Sequence, residues 1–536
     1  MAGCAGQVPP SGGPLDRSHP QIVYSSPTQK ELSFNSQKIV LRFDKYMMER
    51  TVENAVYFPP FSAKEIEYDW SGKELTMHLL TPLEKNRTYI LTIGAGAQNL
   101  RGNTLGKAIS IVFSTGSHID TGSVTGKVYS NKLQPYTVAA YQVTDSIDTL
   151  RPSIDLAKYV TQSDDSGRFV MQGLANGKYR LICFDDQVRN FTYATQIDKY
   201  ASATHDVEIT DSSQNAGDVN FTPTPEDTSL PQLYSAELTN DGSLLLKFSK
   251  AIDSASVSPG NFSVRDSITS ENYPFEFAVR REENQDQIVL ELSKPLTLRQ
   301  TYIVKALKNV TDLQFNRMSP ANNTVSLKAD TNTVRISPFY FSFPDSLQDV
   351  TTYDTLFCQF ISASVFDSAS GSEYVSLRDS SGASLPGAII RQSATVFKVS
   401  LGNLNSLSWY KLELKFPLAG KGRDSVVSHQ FRMVDFSSLG NVEGEVKPYE
   451  RKIVVIATKE DGKRFIVFAN PGGKFSIEGI PGGTYSVSAF VQHGKTFDYF
   501  RGTSFPFQFA EPFGVYEDPV KVRARWTSEG VSIMLH

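Results

Sequence analysis

Residues 166–184 read SGRFVMQGLANGKYRLICF, and residues 472–490 read GGKFSIEGIPGGTYSVSAF. A single offset of 306 carries Gly167 to Gly473, Phe169 to Phe475, Gly173 to Gly479, Gly177 to Gly483 and Tyr179 to Tyr485, and it continues through Phe191/Phe497 and Tyr193/Tyr499. In each copy apolar and polar residues alternate, glycines permit a positive-φ connection, and the alternation resumes, which is the pattern of a β-hairpin. Upstream, GSVTGKV (122–128) matches GNVEGEV (440–446). The two regions share a fold.

A second repeat lies between and before them. LRFDKYM (41–47) returns as LKFSKAI (246–252), and TPLEKNRTYIL (81–91) as KPLTLRQTYIV (294–304), with Pro82/Pro295, Leu83/Leu296, Thr88/Thr301 and Tyr89/Tyr302 at one offset of 213. Residues 332–436 carry weaker echoes, CQF (358–360) and SLSWYKLELKFPL (406–418), and read as a diverged third copy. Almost every other segment also has period two, as in KIVLRF, ELTMHLL, ISIVFS and IVLEL, bounded by Gly, Pro, Asn or Ser; these are short strands. Only residues 46–55 and 154–160 suit a short helical turn. The fold class is all-β, a serial array of sandwiches longer than one globule.

At 536 residues the chain exceeds one core and calls for about four or five units. Hydrophobic residues at 40%, with 34 Phe and 23 Tyr, can fill them. Lys plus Arg (53) nearly balances Asp plus Glu (57), so no field favours nucleic acid, and no nucleic-acid partner is assigned. Cys4, Cys183 and Cys358 are too dispersed for a redox or zinc motif, and Cys183 and Cys358 read as core residues. No run of about 18 apolar residues could form a membrane-spanning helix. Ahead of Cys4 stand only Met1, Ala2 and Gly3, short of a complete signal peptide.

The FDKYM, PL…TYILTIGAGAQNLRGN and VFSTG segments resemble bacterial Ig-like domains of the SbsA type. The G-x-V-x-G-x-V strand and the hairpin after it are similar to transthyretin-like modules of the carboxypeptidase regulatory-like and Cna B types. The whole arrangement, from CAGQVPPSGGPLDRSHPQIVYSSP to VKVRARWTSEGVSIML, looks like the Ig-like-domain cell-envelope lipoproteins of Bacteroidetes and Chlorobi-type bacteria. The resemblance implies a lipoprotein N-terminus and Pro/Gly tether at 1–19, an SbsA-type Ig-like domain at 20–116, a transthyretin-like domain at 117–225, a second Ig-like domain at 226–330, a diverged Ig-like domain at 331–436 and a second transthyretin-like domain at 437–536. It also implies an outer-membrane address, with the membrane face undecided.

Small residues before Cys4 and the proline- and glycine-rich stretch after it suit a lipobox, so Cys4 is the expected lipidation site and the membrane the expected partner. GAGAQNLRGN (94–103) lacks the third glycine of a dinucleotide loop and reads as a strand connection. His78 and His493 stand singly and read as exposed polar positions. Asp164–Asp165 and Asp185–Asp186 could offer oxygens to calcium or cap backbone N–H groups, and capping is the reading taken, with no metal and no cofactor assigned. Phe497, Tyr499, Phe500 and Trp526, in a run dense with aromatic residues, are candidate ligand-binding positions, although the same run suits packing. No nucleophile, base or metal motif points to catalysis, and the expected role is an anchored scaffold, adhesion or binding protein that is not an enzyme. The alternative is a carbohydrate- or peptide-binding accessory protein of a degradation or uptake system, with envelope protein or glycan partners.

Overall fold

The computed structural model describes residues 16–59, 65–130, 132, 134–144, 150–188, 190–361, 374–417, 424–448, 452–492 and 497–536. Alternation in the sequence becomes alternation across a sheet, because successive strand side chains point to opposite faces. In Lys38–Phe43 the buried residues are Ile39, Leu41 and Phe43, and in Thr301–Ala306 they are Tyr302, Val304 and Ala306. Residues 46–55 do contain a short α-helix, Glu49–Glu53. Residues 154–160 do not: a turn gives way to the strand Tyr159–Gln162, where Tyr159 and Val160 pair with Ala140 and Ala139.

The fold is an all-β serial array of sandwiches. The first packs the sheet Ile22–Ser26, Lys38–Phe43, Glu74–Leu79, Ile66–Ser71 against Val56–Tyr57, Thr88–Ile93, Ile109–Ser114. The third repeats this plan, with Leu233–Leu238, Leu244–Phe248, Gln287–Leu292, Phe275–Arg280 over Phe262–Asp266, Thr301–Ala306, Thr324–Lys328. The fourth keeps both sheets and adds Ser346–Val350, which runs parallel to Asp424–Met433.

The second and fifth sandwiches share a different plan. In each, a central strand (Gly122–Val128, Leu439–Lys447) lies between an antiparallel neighbour (Arg168–Leu174, Lys474–Pro481) and a parallel one (Asn215–Phe221, Thr527–Met534). The central strand carries Gly126 or Gly444, where a Cβ would stand 1.8 Å from the Val219 carbonyl oxygen or 2.1 Å from that of Val531. Only glycine lets the parallel strand approach so closely. The hairpin glycines Gly173 and Gly479 have φ of +80° and +69°.

Neighbouring modules meet at distinct seams. Ile90 and Val112 of the first module are buried within the core cluster of the second, Tyr57 Oη donates to the Ala157 carbonyl at 2.6 Å, and the Ala95 N–H donates to Gln162 Oε1 at 2.8 Å. Between the third and fourth, the Gln359 amide bonds the Arg280 carbonyl and the Glu282 N–H, at 2.7 and 2.8 Å. Tyr353 of the fourth packs edge-on against Phe465 of the fifth, and Lys463 pairs with Asp354 at 2.8 Å. The array does not simply run on, because the fifth module contacts the second.

Each sandwich is fixed by one buried tyrosine near the start of a strand. Tyr89, Tyr302 and Tyr410 each accept, at Oη, the N–H of the residue five positions earlier (Glu84, Thr297, Asn405) at 2.8, 2.9 and 2.8 Å. Tyr179 and Tyr485 instead donate to the carbonyl four positions earlier (Ala175, Pro481) at 2.8 and 2.6 Å. Burial pushes the Tyr485 phenol up to about 12, so its stabilising share is whole below pH 10, the ordinary value, and is lost as pH rises through 12. Tyr485→Phe should cost about 1–3 kcal/mol by leaving the Pro481 carbonyl short of a donor, and Tyr485→Ala about 3–5 kcal/mol. Native-state hydrogen exchange of Gly483–Val491 in the full chain reads both; protection equal to wild type in the alanine variant would refute the role given to Tyr485.

Candidate functional site

Cys4 and His493 lie outside the described residues. The first described residues are held on the first module: Lys45 Nζ donates to Asp16 Oδ2 and to the Ser18 carbonyl, both at 2.8 Å, and Asn103 donates to the Asp16 carbonyl at 2.8 Å. The Lys45 bond, with those from Ser18, holds the Asp16 carboxyl well below the usual range.

The four candidate aromatics do not meet at one surface. Tyr499 is packed between Phe490 and Phe513, with ring centroids 5.9 and 5.0 Å away, and burial pushes its phenol upward. Phe497 is 46% exposed and faces Phe468, itself 51% exposed, at 5.8 Å. Phe500 is partly exposed, and its N–H donates to Glu511. Trp526, 71% exposed, follows the far end of Phe513–Val522, a strand of about 30 Å.

Residues 497–511 dock the fifth module onto the second. The Ser202 N–H donates to the Arg501 carbonyl at 3.0 Å, and the Ala510 N–H to the Ala203 carbonyl at 3.2 Å. Glu226 accepts the Ser504 N–H at 2.7 Å and its hydroxyl at 2.6 Å. Arg180, held by Asp206 through two bonds of 2.9 and 3.1 Å, lies under Phe507 and Phe509, 4.3 and 5.0 Å from the ring centres. Such cation–π contacts gain strength when desolvated, and Arg180 is buried. Lys127 pairs with Glu517 nearby, and Tyr129 meets Phe513.

A cleft of about 1550 Å³ opens along the seam of the first two modules. Tyr57, Gln162 and Phe191 form part of its wall, beside five carboxylates and five cations, so its lining is electrostatically balanced. The loop 185–198 lies on this cleft and is shaped by carboxylates. Asp198 accepts the N–H groups of Gln187 and Ala194 at 2.7 and 2.8 Å, and Asp186 those of Asn190 and Phe191 at 3.0 and 3.1 Å. Desolvation raises the pKa of both. Asp185 accepts the Lys199 N–H at 2.8 Å, and Asp164 caps its turn through Ser166 and Arg168. These oxygens are committed to backbone donors, and among the described residues no group of three or more His, Cys, Asp or Glu is placed to hold a metal ion.

The loop 94–103 connects strands and receives the second module through Ala95. His78 lies half-buried in Glu74–Leu79. Sequence reading gave no sign of His429, which stacks on Phe341 at 3.9 Å with Nδ1 2.8 Å from the Phe343 carbonyl oxygen. Its partners come from a separate strand.

Among solved structures, the N-terminal part of the bacterial S-layer protein SbsC aligns at 14% identity over 38% of this chain and 44% of its own, with a TM-score of 0.18. The major pilin subunit BcpA of Bacillus cereus aligns at 8% identity over 78% and 99%, TM-score 0.14, and E. coli α2-macroglobulin at 9% over 94% and 34%, TM-score 0.15. The chain spans under half the length of the SbsC fragment. No curated protein matches the sequence. Residues 16–115, the first module, match the family model described as bacterial Ig-like domain.

Removing the acceptor that shapes the cleft loop, in Asp198→Ala, should cost about 1–3 kcal/mol. Hydrogen exchange should quicken at the amides of Gln187 and Ala194, and unchanged exchange there would contradict the structural role assigned to this carboxylate.

Proposed function

We propose that this chain is a non-catalytic cell-envelope protein, tethered to the outer membrane through a lipid on Cys4 and acting as a scaffold or adhesion protein through the surfaces of its sandwiches. The observation that carries the reading is the return of the fifth module onto the second, which commits charged and aromatic side chains to holding modules together. The bacterial Ig-like match at 16–115 supports an envelope setting. Two acyl signals on one cysteine bury dozens of CH₂ groups at about 0.8 kcal/mol each, beyond the marginal hold of one myristoyl chain.

A second reading, a glycan- or peptide-binding accessory protein, is favoured by the exposed Phe468–Phe497 pair. Its partners would be envelope glycans or proteins.

Expressed behind a full lipoprotein signal in a native host, the protein should enter the detergent phase, and Cys4→Ser should stay aqueous. Equal partitioning of the two, or an unmodified Cys4 by mass spectrometry of membrane-derived protein, would remove the anchor.

A further inference from the structure

The two non-local seams of the second module differ in kind. Toward the first module it shares a core, with Ile90 and Val112 buried in its own apolar cluster and Tyr57 packed on Phe191 at 5.2 Å. Toward the fifth module hydrogen bonds outnumber ring contacts: Ser202, Ser504 and Ala510 donate across it, Tyr200 Oη reaches the Thr503 carbonyl at 3.2 Å and Arg501 Nη1 the Pro225 carbonyl at 3.1 Å, beside the Lys127–Glu517 pair and Tyr129 on Phe513. Ser202, Tyr200 and Ser504 are buried, and on separation their bonds are exchanged for bonds to water, so each bond contributes only modestly to holding the seam shut.

The seam also carries a penalty when closed. Among the described residues four buried side-chain polar atoms lack a hydrogen-bond partner, and two of them, Thr224 Oγ1 and Arg501 Nε, lie beside the Pro225–Arg501 contact. Burying such groups unpaired is unfavourable. Arg180 keeps its two bonds to Asp206 whether or not Phe507 and Phe509 cover it, so opening strands no charge inside the second module. Its apolar attachments are the pair of rings over that guanidinium, with Phe507 resting on the cluster that includes Phe184 and Tyr200, together with Phe505 over Arg151 and Tyr129 against Phe513.

We infer that residues 497–511 are a releasable clasp: the contact between the fifth and second modules opens while every sandwich stays folded, uncovering Arg180 together with Phe507 and Phe509. Modules two to five form a closed circuit when it is shut. Polar interfaces between domains permit relative motion, whereas large apolar ones hold.

Native-state hydrogen exchange of the full chain tests this. The Ser202, Ser504 and Ala510 amides should exchange at least roughly tenfold faster than the Ala95 amide at the first seam. Phe507→Ala combined with Phe509→Ala should speed them further and leave the strand Gly483–Val491 protected as in wild type. Equal protection at the two seams, or loss of protection in Gly483–Val491 along with the clasp, would overturn the inference by making the clasp part of the fold. An independent reading uses dyes on Asp165→Cys and Glu529→Cys in a Cys4→Ser background. Energy transfer should reveal a second, longer distance that grows in population in the double alanine variant, and one unchanged distance in both proteins would overturn it.

Discussion

A large aromatic side chain that ends in a hydroxyl can enter a core only if that hydroxyl finds a partner there, and all five sandwiches are organised around this requirement. In each, a tyrosine sits second or third in a strand and bonds the backbone four or five residues upstream. The bond ties the incoming loop to the strand it precedes, so it fixes where the strand begins and which face turns inward. Because a one-residue slip would turn the whole strand over, one hydroxyl sets the register of the sheet behind it. In three modules the hydroxyl accepts an N–H, Tyr302 also donating to the Thr297 carbonyl at 3.3 Å, and in two it donates to a carbonyl.

That constraint explains why so much of the fold was legible. Period-two alternation marked strands, and the fixed spacing from loop to tyrosine kept both repeats in register over the offsets of 213 and 306. The fourth module shows why legibility fades. It lost the Pro-Leu and Thr-Tyr signatures, yet Leu404 is buried six residues ahead of Tyr410, as Leu296 is ahead of Tyr302. Its extra parallel strand, Ser346–Val350, has polar or half-exposed positions until Val350 and so left no apolar pattern. The helical turn expected at 154–160 failed because a tertiary partner, the strand Thr137–Gln142, outweighed local preference.

The seams left almost no trace in the sequence. Their hydrogen bonds end largely on main-chain carbonyls, which every residue possesses, and their partners stand from 67 to 390 residues apart. Aromatic density at 497–513 was visible, but density alone cannot separate a core from a platform. The structure divides that run: Tyr499 and Phe513 go inward, Phe507 and Phe509 cover an arginine, and Phe497 stays half-exposed beside Phe468.

The repeat also shows how one scaffold acquires two neighbours. Between Phe184 and Lys199 the second module has a loop of fourteen residues, whereas between Val491 and Phe513 the fifth has twenty-one. The offset of 306 survives through Phe191/Phe497 and Tyr193/Tyr499, so these residues are counterparts in the sequence and the additional length falls after them. In the second module Phe191 meets Tyr57 of the preceding sandwich, and Asp185, Asp186 and Asp198 hold the short loop by capping its amides. In the fifth, Val491 and Gln492 stand where two of those carboxylates were, and the longer loop brings the Phe505–Phe509 stretch to the second module. The longer loop therefore divides its contacts: Arg464 and the rings around Tyr499 hold its start to its own sandwich, while Arg501, Ser504, Phe507 and Phe509 fasten its later part to the second.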